Sequence, residues 1–98
     1  SVAYSEGPAQ TIRRVALCGG SGDFLIDAAC RQGADMFVTG EIGYHRFFGY
    51  GRRMWLASIG HFESERYTPY LMERILQDAL PGLRTVVYDL PTSPVRYL

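Results

Sequence analysis

Three times in this chain a short hydrophobic run passes straight into glycine. Residues 12–17 lead into Cys18-Gly19-Gly20, residues 35–39 into Gly40, and residues 54–59 into Gly60. Short continuous apolar runs bounded by turn residues suit strands covered on both faces, and helical patterns between them suit crossover connections. This rhythm predicts an α/β fold, a layered mixed sheet of about four strands flanked by helices. Such sheets gather functional groups where turns leave the carboxyl ends of strands. If the strands run parallel, residues 18–23, 39–45 and 60–65 face one edge.

Residues 1–11 are rich in Gly, Pro, Ser and Gln and read as a linker or irregular lead-in. Residues 12–17 form the first strand. Residues 18–23 break it, and Ser21 or Asp23 can cap the next helix. The apolar face of that helix is Phe24, Leu25, Ala28 and Ala29, and Gly33 ends it. Residues 35–39 form the second strand, 41–50 a short aromatic helix, 51–53 a polar turn and 54–59 the third strand. A long helix then runs to about Leu80. Its stripe of Leu71, Met72, Ile75, Leu76, Ala79 and Leu80 opposes Glu73, Arg74, Gln77 and Asp78. Pro69 leaves two options. It kinks one continuous helix, or it sits in the first turn after a Thr68 cap and leaves residues 61–65 in a turn. Residues 83–89 read as the fourth strand, and 91–94 as extended tail.

Composition matters here for what it excludes. Ten basic residues, all Arg, balance ten acidic ones, so no overall field draws nucleic acid or a membrane surface. No run approaches the roughly 18 apolar residues of a membrane span, and no signal-peptide pattern opens the chain. Cys18 and Cys30 are too few for a disulfide scaffold or a zinc ribbon. They read as packed thiols in a reducing compartment, so the expected location is cytoplasmic. The chain has 98 residues and starts at Ser1 instead of Met; it is expected to be a piece of a longer protein.

The chain has two histidines, His45 and His61. On a helix, His61 and Glu65 would stack on one face, one turn apart. An imidazole and a carboxylate so placed suit a divalent ion such as Zn, Fe or Mn. The bland reading is a satisfied histidine at a helix start. Glu63 points elsewhere on a helix and would cap it or support a ligand. Glu41 and His45 repeat the spacing in reverse order. They read as a metal pair, an acid/base pair, or a capping carboxylate beside a surface histidine. The aromatics Tyr44, Phe47, Phe48 and Tyr50 suit packing or a subunit contact, with a substrate platform as the alternative.

Two ligands do not hold a metal: either there is none, or the other ligands come from missing sequence or another subunit. The glycine loop at 18–22 could cradle a phosphate on its N–H groups. It lacks the lysine of a P-loop and the full G-x-G-x-x-G spacing, so a tight structural turn is the stronger reading. No Ser–His–Asp constellation stands out, and neither cysteine has an activating base near it in sequence.

The motifs together carry a resemblance. Ile12-Arg13-Arg14-Val15-Ala16-Leu17-Cys18-Gly19-Gly20-Ser21-Gly22, then Ala34-Asp35-Met36-Phe37-Val38-Thr39-Gly40-Glu41 with His45, then Gly60-His61-Phe62-Glu63-Ser64-Glu65, closely resemble the Nif-three-like dinuclear metal centre family. Many of its members carry the label GTP cyclohydrolase I type 2 homologue. The ending Pro91-Thr92-Ser93-Pro94-Val95-Arg96-Tyr97 resembles that family's tail.

The resemblance implies a two-lobe fold with two divalent ions in the cleft, of which residues 12–98 are the C-terminal lobe. It makes His61 and Glu65 metal ligands and His45 a cleft residue, for acid/base work or for support of the ligands. The remaining ligands would come from the N-terminal lobe. Residues 1–11 resemble the exit from an inserted domain, and members assemble as hexamers. Three functions are therefore expected as competitors. One is a metal-dependent hydrolase lobe acting on a nucleotide or phosphate-containing small molecule. The second is a non-catalytic assembly or metal-storage module. The third, and weakest, is a nucleotide-binding domain built on the turn at residues 19–23.

Overall fold

The computed structural model describes residues 1–98, which divide into two units, Ser1–Glu65 and Arg66–Leu98. The first unit holds one four-stranded sheet made of β1 (Ala3–Ser5), β2 (Val15–Cys18), β3 (Met36–Thr39) and β4 (Trp55–Ser58). The strand order is β1-β4-β3-β2. β2, β3 and β4 run parallel, with Ala16, Phe37 and Leu56 in one row and Cys18, Thr39 and Ser58 in another. β1 lies antiparallel on β4, so the sheet is mixed. The expected α/β architecture with a mixed sheet of four strands is thus present.

The core forms on the face that carries the Ala16–Phe37–Leu56 row. Phe37, Leu56 and Met54 are buried there with Tyr50, and α1 (Ile26–Arg31) contributes Ile26 and Ala29. Each large apolar side chain so buried stabilises the unit by about 1.5–3 kcal/mol. The helix face differs from the one the sequence suggests, because Ile26 is buried while Phe24 and Leu25 are exposed. A 3-10 turn at Asp23–Leu25 precedes α1. Its tighter winding takes Phe24 out of phase with the α-helical positions Ile26 and Ala29. On the opposite sheet face Val15 and Leu17 of the edge strand β2 stand exposed, so two-sided cover does not extend to β2.

Several boundaries shift for identifiable reasons. β2 starts at Val15 and not at Ile12, because the Arg13 and Arg14 amides turn to the Asp35 carboxylate, at 2.9 Å each. Residues 1–11 do not behave as a linker. Ala3–Ser5 pairs with β4, Tyr4 stacks on Trp55 at 6.3 Å, and the Trp55 indole donates to the Ala9 carbonyl at 2.9 Å. This lead-in supplies the fourth strand, while residues 83–89 form none. The helix expected at 41–50 shrinks to a 3-10 turn, Tyr44–Phe47. Gly43 is extended there, with its amide donating to Asp23, and Gly49 at φ +91° ends the segment.

The long helix is two helices, α2 (His61–Glu65) and α3 (Thr68–Ala79). Pro69 sits in the first turn of α3, where its missing N–H costs nothing. Tyr67, not Thr68, is the capping residue, and residues 61–65 stay helical although α3 starts afresh. Within Arg66–Leu98, the Gln77 amide donates to Thr85 at 2.9 Å and the Tyr70 hydroxyl donates to Asp89. No residue of α3 is buried. No helix is long and apolar enough to cross a membrane.

Candidate functional site

The parallel register brings the three glycine turns to one edge of the sheet. Backbone pairing continues past the strands. Gly60 N–H donates to the Gly40 carbonyl at 2.9 Å, and Glu41 N–H donates to the Gly20 carbonyl at 3.1 Å. Hydroxyls lock the turns together. Thr39 Oγ1 accepts from Gly22 N–H at 2.9 Å and donates to the Gly20 carbonyl at 3.0 Å. Ser64 Oγ accepts from Gly20 N–H at 2.9 Å and donates to the His61 carbonyl at 2.8 Å. Ser58 Oγ donates to the Gly40 carbonyl at 3.0 Å. Gly40 has no room for a side chain, since a Cβ there would lie 2.6 Å from both the Gly20 carbonyl oxygen and Ser64 Oγ.

Gly60, at φ +97°, turns the chain from β4 into α2. The first turn of that helix presents His61. Its Nε2 lies 3.3 Å from Glu65 Oε2, the contact expected of a pair four residues apart. Its Nδ1 lies 3.3 Å from Glu41 Oε1. The second oxygen of Glu41 accepts from the Ser21 hydroxyl at 3.2 Å. All three side chains are about half exposed, so the cluster opens to solvent. Glu63 lies on the same helix.

The pairing of Glu41 with His45 does not form. Residues 41–43 are not helical, so the four-residue spacing places no common face there. Glu41 turns to His61 instead. His45 is exposed on the 3-10 turn, with its ring edge-on to Tyr44 at 5.5 Å. The phosphate-cradle reading of the glycine loop also weakens. Two of the amides it would need, Gly20 and Gly22, are consumed by Ser64 and Thr39.

The separation of Nε2 from Oε2 suits two donors to one ion, since ligands about 2.1 Å from a tetrahedral centre stand roughly 3.4 Å apart. No group of three or more His, Cys, Asp or Glu side chains is arranged to hold a metal. The physical reason is that Glu41 and Glu65 flank opposite nitrogens of one ring and do not converge on a common point with it. Within this chain His61 can share an ion with one carboxylate at a time, Glu65 beside Nε2 or Glu41 beside Nδ1, each at 3.3 Å. A separate groove of about 340 Å³ runs along β2 and α1, past Arg14, Leu17, Leu25, Ala28 and Gln32. It includes none of the three cluster residues.

Sequence reading missed the hydroxyls of Thr39 and Ser64. A signal was present for Ser64, which follows His61 by three residues and reaches back to its carbonyl, as helical serines do. None was present for the contact of Glu41 with His61, which spans twenty residues and exists only because β3 and β4 lie side by side.

Comparison with known proteins bears on the family and the fold. The model of the family described as Duf34/NIF3 (NGG1p interacting factor 3) matches residues 1–94. A Campylobacter jejuni protein named GTP cyclohydrolase 1 type 2 homolog is 34% identical over 87 residues, covering 88% of this chain and 34% of that protein. An Archaeoglobus fulgidus protein of the same name is 29% identical over 102 residues, covering 94% of this chain and 40% of its own length. The chain thus spans little more than a third of these relatives. Staphylococcus aureus protein SA1388 superposes with a TM-score of 0.79 at 30% identity, over 100% of this chain and 33% of that structure. A Bacillus cereus protein related to NIF3 shares the fold, with a TM-score of 0.72 at 21% identity, over 100% of this chain and 28% of that structure. By its match over residues 1–94, the chain belongs to the Duf34/NIF3 family.

Proposed function

We propose that this chain supplies part of a metal centre, with His61 and Glu65 holding a divalent ion whose other ligands lie outside residues 1–98. The observation that carries this reading is the 3.3 Å approach of His61 Nε2 to Glu65 Oε2, at the carboxyl edge of three parallel strands. With two donors here, three or more must come from elsewhere to complete a dinuclear site of Zn, Fe or Mn. An N-terminal lobe of the same protein is the proposed source, in a homo-oligomer for which a hexamer is the proposed form.

The proposed activity is hydrolysis of a nucleotide or another phosphate-containing small molecule, in keeping with the name GTP cyclohydrolase 1 type 2 homolog carried by relatives. A bound pair of divalent ions supplies Lewis acidity and a water made acidic enough to react near neutral pH. The chain's own residues do the rest. α2 orients the two donors, the glycine turns hold α2 against the strand ends, and His45 on the adjacent turn transfers a proton.

A second reading, a non-catalytic assembly or metal-storage module, is favoured by the exposure of Leu17, Phe24 and Phe48. Elemental analysis of the full-length protein tests the shared premise. Wild type should bind metal, and His61→Ala should lose most of it; unchanged metal in the variant would sink the assignment. A panel of nucleotides and phosphate esters with Mn, Fe and Zn then separates the two readings. Metal-dependent turnover eliminates the storage reading, and its absence across the panel favours it.

A further inference from the structure

The geometry points to Glu41 as a positioning residue for His61, a role that rests on the metal-centre reading above. A metal-binding imidazole gives one nitrogen to the ion and its other N–H to an acceptor. A carboxylate acceptor fixes the tautomer, orients the ring and raises its basicity. His61 has a carboxylate at 3.3 Å on each nitrogen, so contact distance alone does not say which side takes the ion.

The surroundings do. Glu41 is already tethered: its Oε2 accepts from Ser21 at 3.2 Å and its backbone N–H donates to the Gly20 carbonyl at 3.1 Å. Glu65 has no such tether, and its ion pair is with His61. The Nε2 side also lies over the turn at Gly20. A Cβ at Gly20 would stand 2.5 Å from Glu65 Oε1 and 3.5 Å from His61 Nε2. The glycine therefore makes room for the Glu65 carboxylate beside Nε2. The ion belongs on that side, and Glu41 receives Nδ1–H. It acts through His61 and does not bind the ion itself.

Metal affinity of the full-length protein, measured by competition with a chelator, tests this assignment together with the visible spectrum of the cobalt(II)-loaded form. Glu41→Gln keeps the shape and an acceptor for Ser21 but removes the charge. It should weaken binding roughly 10- to 100-fold, with full stoichiometry at saturating metal and a shifted cobalt spectrum. Glu41→Ala should weaken it at least as much. Ser21→Ala, which cuts only the tether, should do less than either.

Affinity of Glu41→Gln within twofold of wild type, with an unchanged spectrum, overturns the inference and leaves the metal centre standing. So does loss of an ion at saturation in Glu41→Ala, which would make Glu41 a ligand. A Ser21→Ala effect as large as that of Glu41→Gln places the cause in the loop and also overturns it. Wild-type binding by His61→Ala removes the metal centre itself, and this inference with it.

Discussion

Thr39 is 1% exposed, and its hydroxyl bonds both sides of the glycine turn, accepting from Gly22 and donating to Gly20. Valine has nearly the same shape but no polar atom, so Thr39→Val would leave the Gly22 N–H unpaired and the Gly20 carbonyl with the Glu41 N–H alone. The expected cost is about 1–3 kcal/mol, read by chemical denaturation, with Thr39→Ser costing less. Equal stability of Thr39→Val and wild type would show that water satisfies those groups. At this scale the sequence was half legible. The link from His61 to Glu65 follows from helical spacing alone. The links from Thr39 to Gly22 and from Glu41 to His61 do not, because strand register creates them and no local pattern encodes register.

The elements divide by how much their own residues decide. β2, β3 and β4 were readable because each is an apolar run ending near glycine. β1 was not, because Ala3-Tyr4-Ser5 is short and has no marked period; its pairing depends on Trp55 and neighbours some fifty residues away. Residues 83–89 erred the other way. Val86 and Val87 favour a strand, yet strand preference expresses a fit to neighbours, and the free edge of β4 is occupied by β1.

The junction of β2 with β3 yields a pH prediction. The Arg13 and Arg14 amides hold the Asp35 carboxyl below its ordinary range, and the two guanidinium charges add to the effect. A depressed folded-state pKa contributes stability that is complete above the unfolded value of about 3.9 and drains as pH falls through the folded value. Asp35→Asn should therefore flatten the fall of melting temperature below about pH 4. An acid limb as steep as wild type would contradict this. α3 gives another. It has twelve residues and buries none of them, and helices of that length are marginal in water unless packed. In the isolated 98-residue chain its amides should exchange far faster than those of β3, as hydrogen exchange will show. Equal protection of the two would overturn that ranking.

On the scale of the whole molecule, the chain corresponds to about a third of its relatives, and the proposed metal centre takes two donors from it. The family and the mixed sheet were legible from three spaced motifs. The division at Glu65 and Arg66 was foreshadowed only by Pro69, whose place in the first turn of α3 fits a fresh helix start. The central claim is that His61 and Glu65 are two ligands of one ion. Anomalous diffraction at the metal's absorption edge, from crystals of the full-length protein, tests it most directly. The expected result is a peak about 2.0–2.2 Å from both His61 Nε2 and a Glu65 carboxylate oxygen, with Glu41 on the far side of the ring. A metal-loaded crystal with no peak beside His61 Nε2, or with the peak between Nδ1 and Glu41, would contradict it.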